Sequence, residues 1–286
     1  MIDVLTDVDL RNANIFPVLY MSRSIVELLH PEPSDGRDRL VSAWQGAAKE
    51  AEDDSSLSLD DRLSALVPQI GLARLTNESA NDGSDDEPSL PDQLLDHVRE
   101  RVSWAAESVA DEGELQAVMS TMVYLLQAAD LDSEAEALLT EKMHETEAPY
   151  YFMSWLASVK KEADQPEEAL VWYRKAYDSS RGRYSRFRWG STYLRRLLEI
   201  SPDNGEMIES ASVEILDELL SHDDAFSLGN HSRLESLAEA YEKWNEAGSH
   251  DEIIGRIRQL VHAQCERYPG EGEDSQRSRC QTFLAG

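Results

Sequence analysis

The chain has 286 residues and an ordinary hydrophobic content of 41%, but it sets 56 Asp and Glu against only 27 Lys and Arg, a formal net charge of −29. A field this negative repels phosphates and anionic headgroups, which argues against nucleic acid or a membrane surface as partner. Only six of the basic residues are Lys, and acid excess with scarce Lys also suits a structural helical scaffold adapted to high salt.

No run of 18 apolar residues spans a membrane. The start, MIDVLTDVDLRNAN, is acidic and lacks the basic and apolar regions of a signal peptide, so the sequence as given reads as cytoplasmic. In chain order, the first predicted helix is IFPVLYMSRSIVELLH, with Pro17 near its start; the Pro31-Glu32-Pro33 and Asp35-Gly36 cluster ends it. A second helix is predicted over Asp38 to Ala51 and a third over Asp60 to Leu75. Residues 76–91, TNESANDGSDDEPSLP, are acidic and rich in small polar residues. They cannot bury an apolar face and read as a flexible linker between an N-terminal helical subdomain, 1–75, and a helical domain, 92–286.

Beyond Pro91 the pattern is helical with short punctuation. DQLLDHVRERVSWAAESVA lines Leu94, Leu95, Val98, Val102, Ala105 and Val109 along one face. ELQAVMSTMVYLLQAAD with SEAEALLTEKMHE forms a helical hairpin, and residues 150–177, YYFMSWLASVKKEADQPEEALVWYRKAY, form another. Pro166 suits the first turn of its second helix, and Ala157, Ala169 and Ala176 mark close helix approach. The two hairpins echo each other at 34 residues: Ala135 with Ala169, Leu139 with Tyr173, Met119 with Met153, Met122 with Leu156. Thirty-four is the tetratricopeptide period. The register then slips. A hairpin turning at Ser201–Gly205 has a longer offset, and a last pair, turning at Gly248, restores a good match before the tail PGEGEDSQRSRCQTFLAG. With no sustained alternation of period two, the predicted fold is all-α: antiparallel helical hairpins in a tetratricopeptide-like superhelical array.

Three constellations carry functional readings. Cys265 and Cys280 could bridge the tail to the last long helix, stand as free thiols, or act as a redox pair in a thiol-disulfide oxidoreductase. A bridge over such a loop would contribute about 3 kcal/mol. Between Arg174 and Arg196 lie eight basic residues and one acid, Asp178, a local excess of +7. These either pair with acids on neighbouring helices or form a patch for an acidic partner, with Arg181, Arg183, Arg186 and Arg188 as its candidates. The aromatic run from Tyr150 to Tyr193 reads as core between hairpins, or as lining for a groove that takes unfolded or extended chains, with Tyr150, Tyr151, Trp155 and Trp189 as its candidates. The seven histidines are scattered without metal-ligand spacing, and no phosphate-loop, dinucleotide or nucleophile-elbow motif occurs, so no catalytic residue, metal or cofactor is predicted.

Residues 92–286, and more weakly 55–75, resemble the helical region that follows the thioredoxin domain in bacterial thioredoxin-family disulfide isomerases. The most specific pieces are Pro149-Tyr150-Tyr151, Arg186-Phe187 with Trp189-Gly190, and the tail with both cysteines. The resemblance implies a non-catalytic module that binds protein partners or unfolded substrates, a structural Cys265–Cys280 pair, and a periplasmic setting if the chain belongs to a longer protein. The family's catalytic Cys-x-x-Cys has no counterpart in this sequence.

Overall fold

A computed structural model describes residues 1–78, 89–270, 272 and 275–285, and among them every regular element is a helix. Two compact units divide the chain, Met1–Glu147 and Ala148–Gly286. The boundary therefore falls at Glu147, whereas the sequence placed it in 76–91; residues 79–88 of that stretch lie outside the described residues.

The first unit opens with four short helices, α1 (Ile2–Thr6), α2 (Val8–Ala13), α3 (Ile15–Tyr20) and α4 (Ser22–Leu29). Long α5 (Asp35–Asp53) follows, capped by Ser34, whose hydroxyl accepts from the Arg37 amide. After it come α6 (Leu59–Ser64), α7 (Leu66–Glu78), α8 (Asp92–Ser108), α9 (Glu112–Ala128) and α10 (Asp132–Lys142). Helix α8 packs on α6 and α9, and α9 packs on α6, so residues beyond 91 share a unit with those before 76.

Two helices predicted as continuous are broken. Pro68 cannot donate to the Ser64 carbonyl, so the helix over 60–75 ends at Ser64 and restarts at Leu66. The helix over 15–30 bends at Met21: Val18 before the bend and Val26 after it both pack with Leu40 and Trp44, while Leu19 packs with Ala51 and Ala65. Trp44 is fully buried, and its indole Nε1 donates to the Val18 carbonyl at 2.7 Å.

The second unit stacks α11 (Pro149–Glu162), α12 (Pro166–Ser179), α13 (Arg183–Ile200), α14 (Gly205–Leu220), α15 (Leu228–Trp244) and α16 (Asp251–His262), ending in α17 (Gln276–Thr282). Ala157, Ala169 and Ala176 are buried where α11 meets α12. Helix α12 packs on α13, α13 on both α14 and α15, and α14 on α16. Gly190 allows the α13–α14 contact, because a Cβ there would lie 2.8 Å from a methyl of Ile215.

All eight residues of the 34-residue echo are buried. The echo extends to the turns. Asp130 and Asp164 both take the left-handed conformation, at φ 58° and 59°. The next amide in each case reaches back across the turn: Leu131 N to Leu126 O at 2.8 Å, Gln165 N to Lys160 O at 2.9 Å. This is the same helix stop written twice. The next hairpin departs from the 34-residue offset mainly because α13, at 18 residues, is four longer than α11 and its turn through Ser201–Asn204 is one residue longer.

Candidate functional site

The Arg-rich segment spans the end of α12 and most of α13, and α14 answers it with acids. Arg174 grips Glu214 with two hydrogen bonds of 2.8 Å and holds Asp178 at 3.0 Å. Arg186 grips Glu218 with two bonds of 2.7 Å while its guanidinium lies 4.1 Å from the centre of the Tyr177 ring. The Tyr177 hydroxyl donates to the same carboxylate at 2.8 Å. Arg186 beside Glu218 holds that carboxyl below its ordinary range, and burial pushes the Tyr177 phenol up. Arg183 pairs with Asp224 at 3.2 Å, and Arg196 with Glu199 at 2.7 Å. Arg183 and Arg186, singled out for a partner, are thus occupied within the fold. Arg181 stands exposed in the turn before α13 with no ion pair among the described residues.

Four other candidates come together. The rings of Tyr150 and Tyr151, at the start of α11, lie 6.1 and 5.1 Å from Trp189 of α13, and Tyr151 meets it edge-on. The Arg188 guanidinium sits 4.9 Å from the Tyr151 ring and 4.8 Å from that of Trp189, and it donates to the Tyr151 hydroxyl at 3.3 Å. Trp189 is 7% exposed, and its indole Nε1 is buried without a hydrogen-bond partner. Trp155 is half-buried on α11.

Beside the cluster, a groove runs between α13 and α15. One stretch, of about 350 Å³, is lined by Arg188, Trp189, Thr192, Arg195 and Arg233 and by the hydroxyls of three serines, with no acid. It continues, through Arg195 and Ser236, into a stretch of about 590 Å³ walled by Leu198, Ala240 and Trp244, where Glu199, Glu239, Arg196 and Lys243 add charges of both signs. Glu199 is already held by Lys161 at 2.6 Å and by Arg196. Arg188, Arg195 and Arg233 have no carboxylate at ion-pair distance among the described residues. Burial, and then repulsion from Arg196 and Arg233, hold the Arg195 guanidinium below its ordinary pKa. The hydroxyls of Thr192 and Ser236 donate to carbonyls one turn back and Arg233 Nη1 to the Gly229 carbonyl at 3.2 Å, and the remaining guanidinium N–H groups are the charged donors toward the groove.

Cys265 and Cys280 are joined in a disulfide that ties the turn after α16 to α17. The sulfurs belong to residues only 2% and 0% exposed, in the same buried cluster as Phe283 and Leu284. Attack by a substrate thiolate needs a reachable sulfur, so in this conformation the bridge is out of reach for exchange. The tail is tied down further by Arg279, whose Nε donates to the Phe226 carbonyl at 2.8 Å, and by Gln276, which accepts from the Phe226 amide at 3.1 Å.

No protein family, curated protein or solved structure matches this chain. Sequence reasoning had passed over Arg195 and Arg233. Arg195 lay inside the counted segment but looked like its paired neighbours. Arg233, 38 residues downstream of Arg195, had no signal to link it, since only the packing of α15 on α13 brings them to one groove.

Proposed function

We propose that the chain is a non-catalytic protein-interaction module, its helical hairpins arranged as a tetratricopeptide-like array, accessory to thiol–disulfide exchange on protein substrates. The observation that carries this reading is the groove between α13 and α15. In a chain with twice as many acids as bases, Arg174, Arg183, Arg186 and Arg196 all find carboxylates, yet among the described residues Arg188, Arg195 and Arg233 do not. Acids are not scarce, so leaving these three unpaired keeps them available to a partner.

The array is supported by the 34-residue echo in buried positions and in turn geometry. The link to disulfide isomerases is supported by the resemblance, two of whose most specific pieces, Pro149-Tyr150-Tyr151 and Trp189-Gly190, meet in the aromatic cluster. A buried disulfide suits an oxidising compartment such as the periplasm.

The test is anisotropy of a labelled, reduced and carboxymethylated protein that cannot refold, titrated with the chain. Saturable binding that weakens several-fold in Tyr151→Ala with Arg188→Ser supports the module. Its absence at any attainable concentration overturns it. Insulin reduction by the isolated chain that vanishes with Cys265→Ser would replace the module with an oxidoreductase.

A further inference from the structure

The groove between α13 and α15 is divided in its chemistry. At one end three guanidiniums gather with no acid among the lining residues; at the other, Leu198, Ala240 and Trp244 make an apolar wall. The Trp244 ring is fixed in place, its Nε1 donating to the Pro202 carbonyl at 2.8 Å and its face stacked on His250 at 3.8 Å between ring centres. We propose that this groove binds an extended acidic segment of a protein partner, its carboxylates held by Arg188, Arg195 and Arg233 and an apolar side chain of the segment set against Leu198, Ala240 and Trp244. The inference rests on the interaction-module reading and names the chemistry of its partner.

Charge complementarity selects this occupant. Guanidiniums present paired donors in the plane that a carboxylate accepts in, and charge-assisted bonds of this kind are about twice as strong as neutral ones. Arg195 faces like charge from Arg196 and Arg233, so a bound anion relieves a repulsion the folded chain itself leaves in place. Trp189, with its unpartnered Nε1, lines the same end. A continuous phosphate backbone fits worse, because it carries a charge at every step, including over the apolar wall of Leu198, Ala240 and Trp244. A peptide can alternate, placing acids over the arginines and an uncharged residue over Trp244. The chain's overall −29 does not forbid this, since at physiological salt charges beyond about 8 Å are largely screened while the groove arginines contact the ligand directly.

The experiment uses the full chain and a fluorescein-labelled peptide of alternating Glu and Ser with one central Leu. Its counterparts carry Gln for Glu, or Ser for the Leu, and a single-stranded DNA of equal charge is a further probe. Saturable binding of the acidic peptide is expected, weakening with added salt, at least about tenfold tighter than its Gln counterpart. Arg195→Ser with Arg233→Ser should weaken it by about tenfold or more, and the Leu-to-Ser peptide should bind more weakly than its parent. Arg195→Glu should reject the acidic peptide and gain affinity for a Lys-Ser version, a gain that misfolding would not produce. Equal binding of the Gln peptide, an unchanged affinity in the double Ser variant, or tighter binding of the DNA overturns the proposal. If the acidic peptide fails while the carboxymethylated protein still binds, this inference falls and the module stands; if neither binds, both fall.

Discussion

The two units handle charge in opposite ways. In the first, ions are drawn into the interior: Arg11, 2% exposed, pairs with Glu50 and lies 3.9 Å from Asp54, and Glu52, 5% exposed, meets Arg101 at 2.9 Å and His97 at 3.0 Å. Gln69 donates to the same Glu52 carboxylate at 3.1 Å. These contacts tie α2 to α5, and α5 to α7 and α8. In the second unit the pairs are half-exposed, running from α12 and α13 onto α14, and a set of arginines in the groove beside them meets no carboxylate among the described residues. A buried ion that loses its partner is stranded away from water, whereas a half-exposed one recovers solvent. In the first unit charge therefore specifies the packing; in the second it is spread along a surface that can also meet a partner.

Glu52→Ala is the substitution that breaks this comparison most sharply. It strands the Arg101 guanidinium, 14% exposed, and is expected to destabilise the first unit by about 3 kcal/mol in urea unfolding. A loss under a third of that would mean water already reaches the site, and the units would differ less than their burial suggests. In the second unit, Glu218→Gln is expected to cost about 1–2 kcal/mol, through the weakened Arg186 and Tyr177 contacts.

The same carboxylate sets a pH dependence. Glu218 and Glu199 titrate below their ordinary value of 4.5 in the folded chain, chiefly through Arg186 and Lys161 respectively. A depressed folded pKa means the stabilisation is fully present above 4.5 and is lost as pH falls through the folded value. Thermal unfolding between pH 7 and 3 should therefore show a fall in melting temperature that starts below 4.5, and the fall should be shallower in Glu218→Gln. A slope identical in wild type and variant would remove Glu218 from the account.

The smallest effect compares the two matching turns. Glycine adopts the left-handed conformation without the penalty a Cβ brings, so Asp164→Gly is expected to stabilise by up to about 1 kcal/mol. Asp130 has the same backbone, but its carboxylate pairs with Arg74 at 2.9 Å. Asp130→Gly should therefore gain nothing or lose stability. Equal shifts at both turns would show that the Arg74 pair contributes nothing.

Helix existence was largely legible, because apolar spacing and the residues that start and stop helices act within a few positions. The break at Pro68 was legible too and was passed over, as the missing amide proton lies in the sequence itself. The linker expected at 76–91 looked like a border because its composition is polar, yet α8 beyond it returns to α6, a contact set by long-range packing. Of the candidate site, Tyr150, Tyr151, Arg188 and Trp189 were named in advance and do converge, while Arg183 and Arg186 proved to be held by acids on or just beyond α14.

What the sequence determined by itself is the hairpin and its period. The stop at Asp130 and its copy at Asp164 each close within six residues, so local chemistry is enough to repeat the turn wherever the pattern recurs. What only the tertiary structure decided is which arginines meet carboxylates and which line the groove. Arg174 meets Glu214 and Arg186 meets Glu218 across 40 and 32 residues of chain, and Arg188, Arg195 and Arg233 share a groove only because α15 lies on α13. Coulomb attraction acts through space, and a count along the chain cannot see which charges folding brings together.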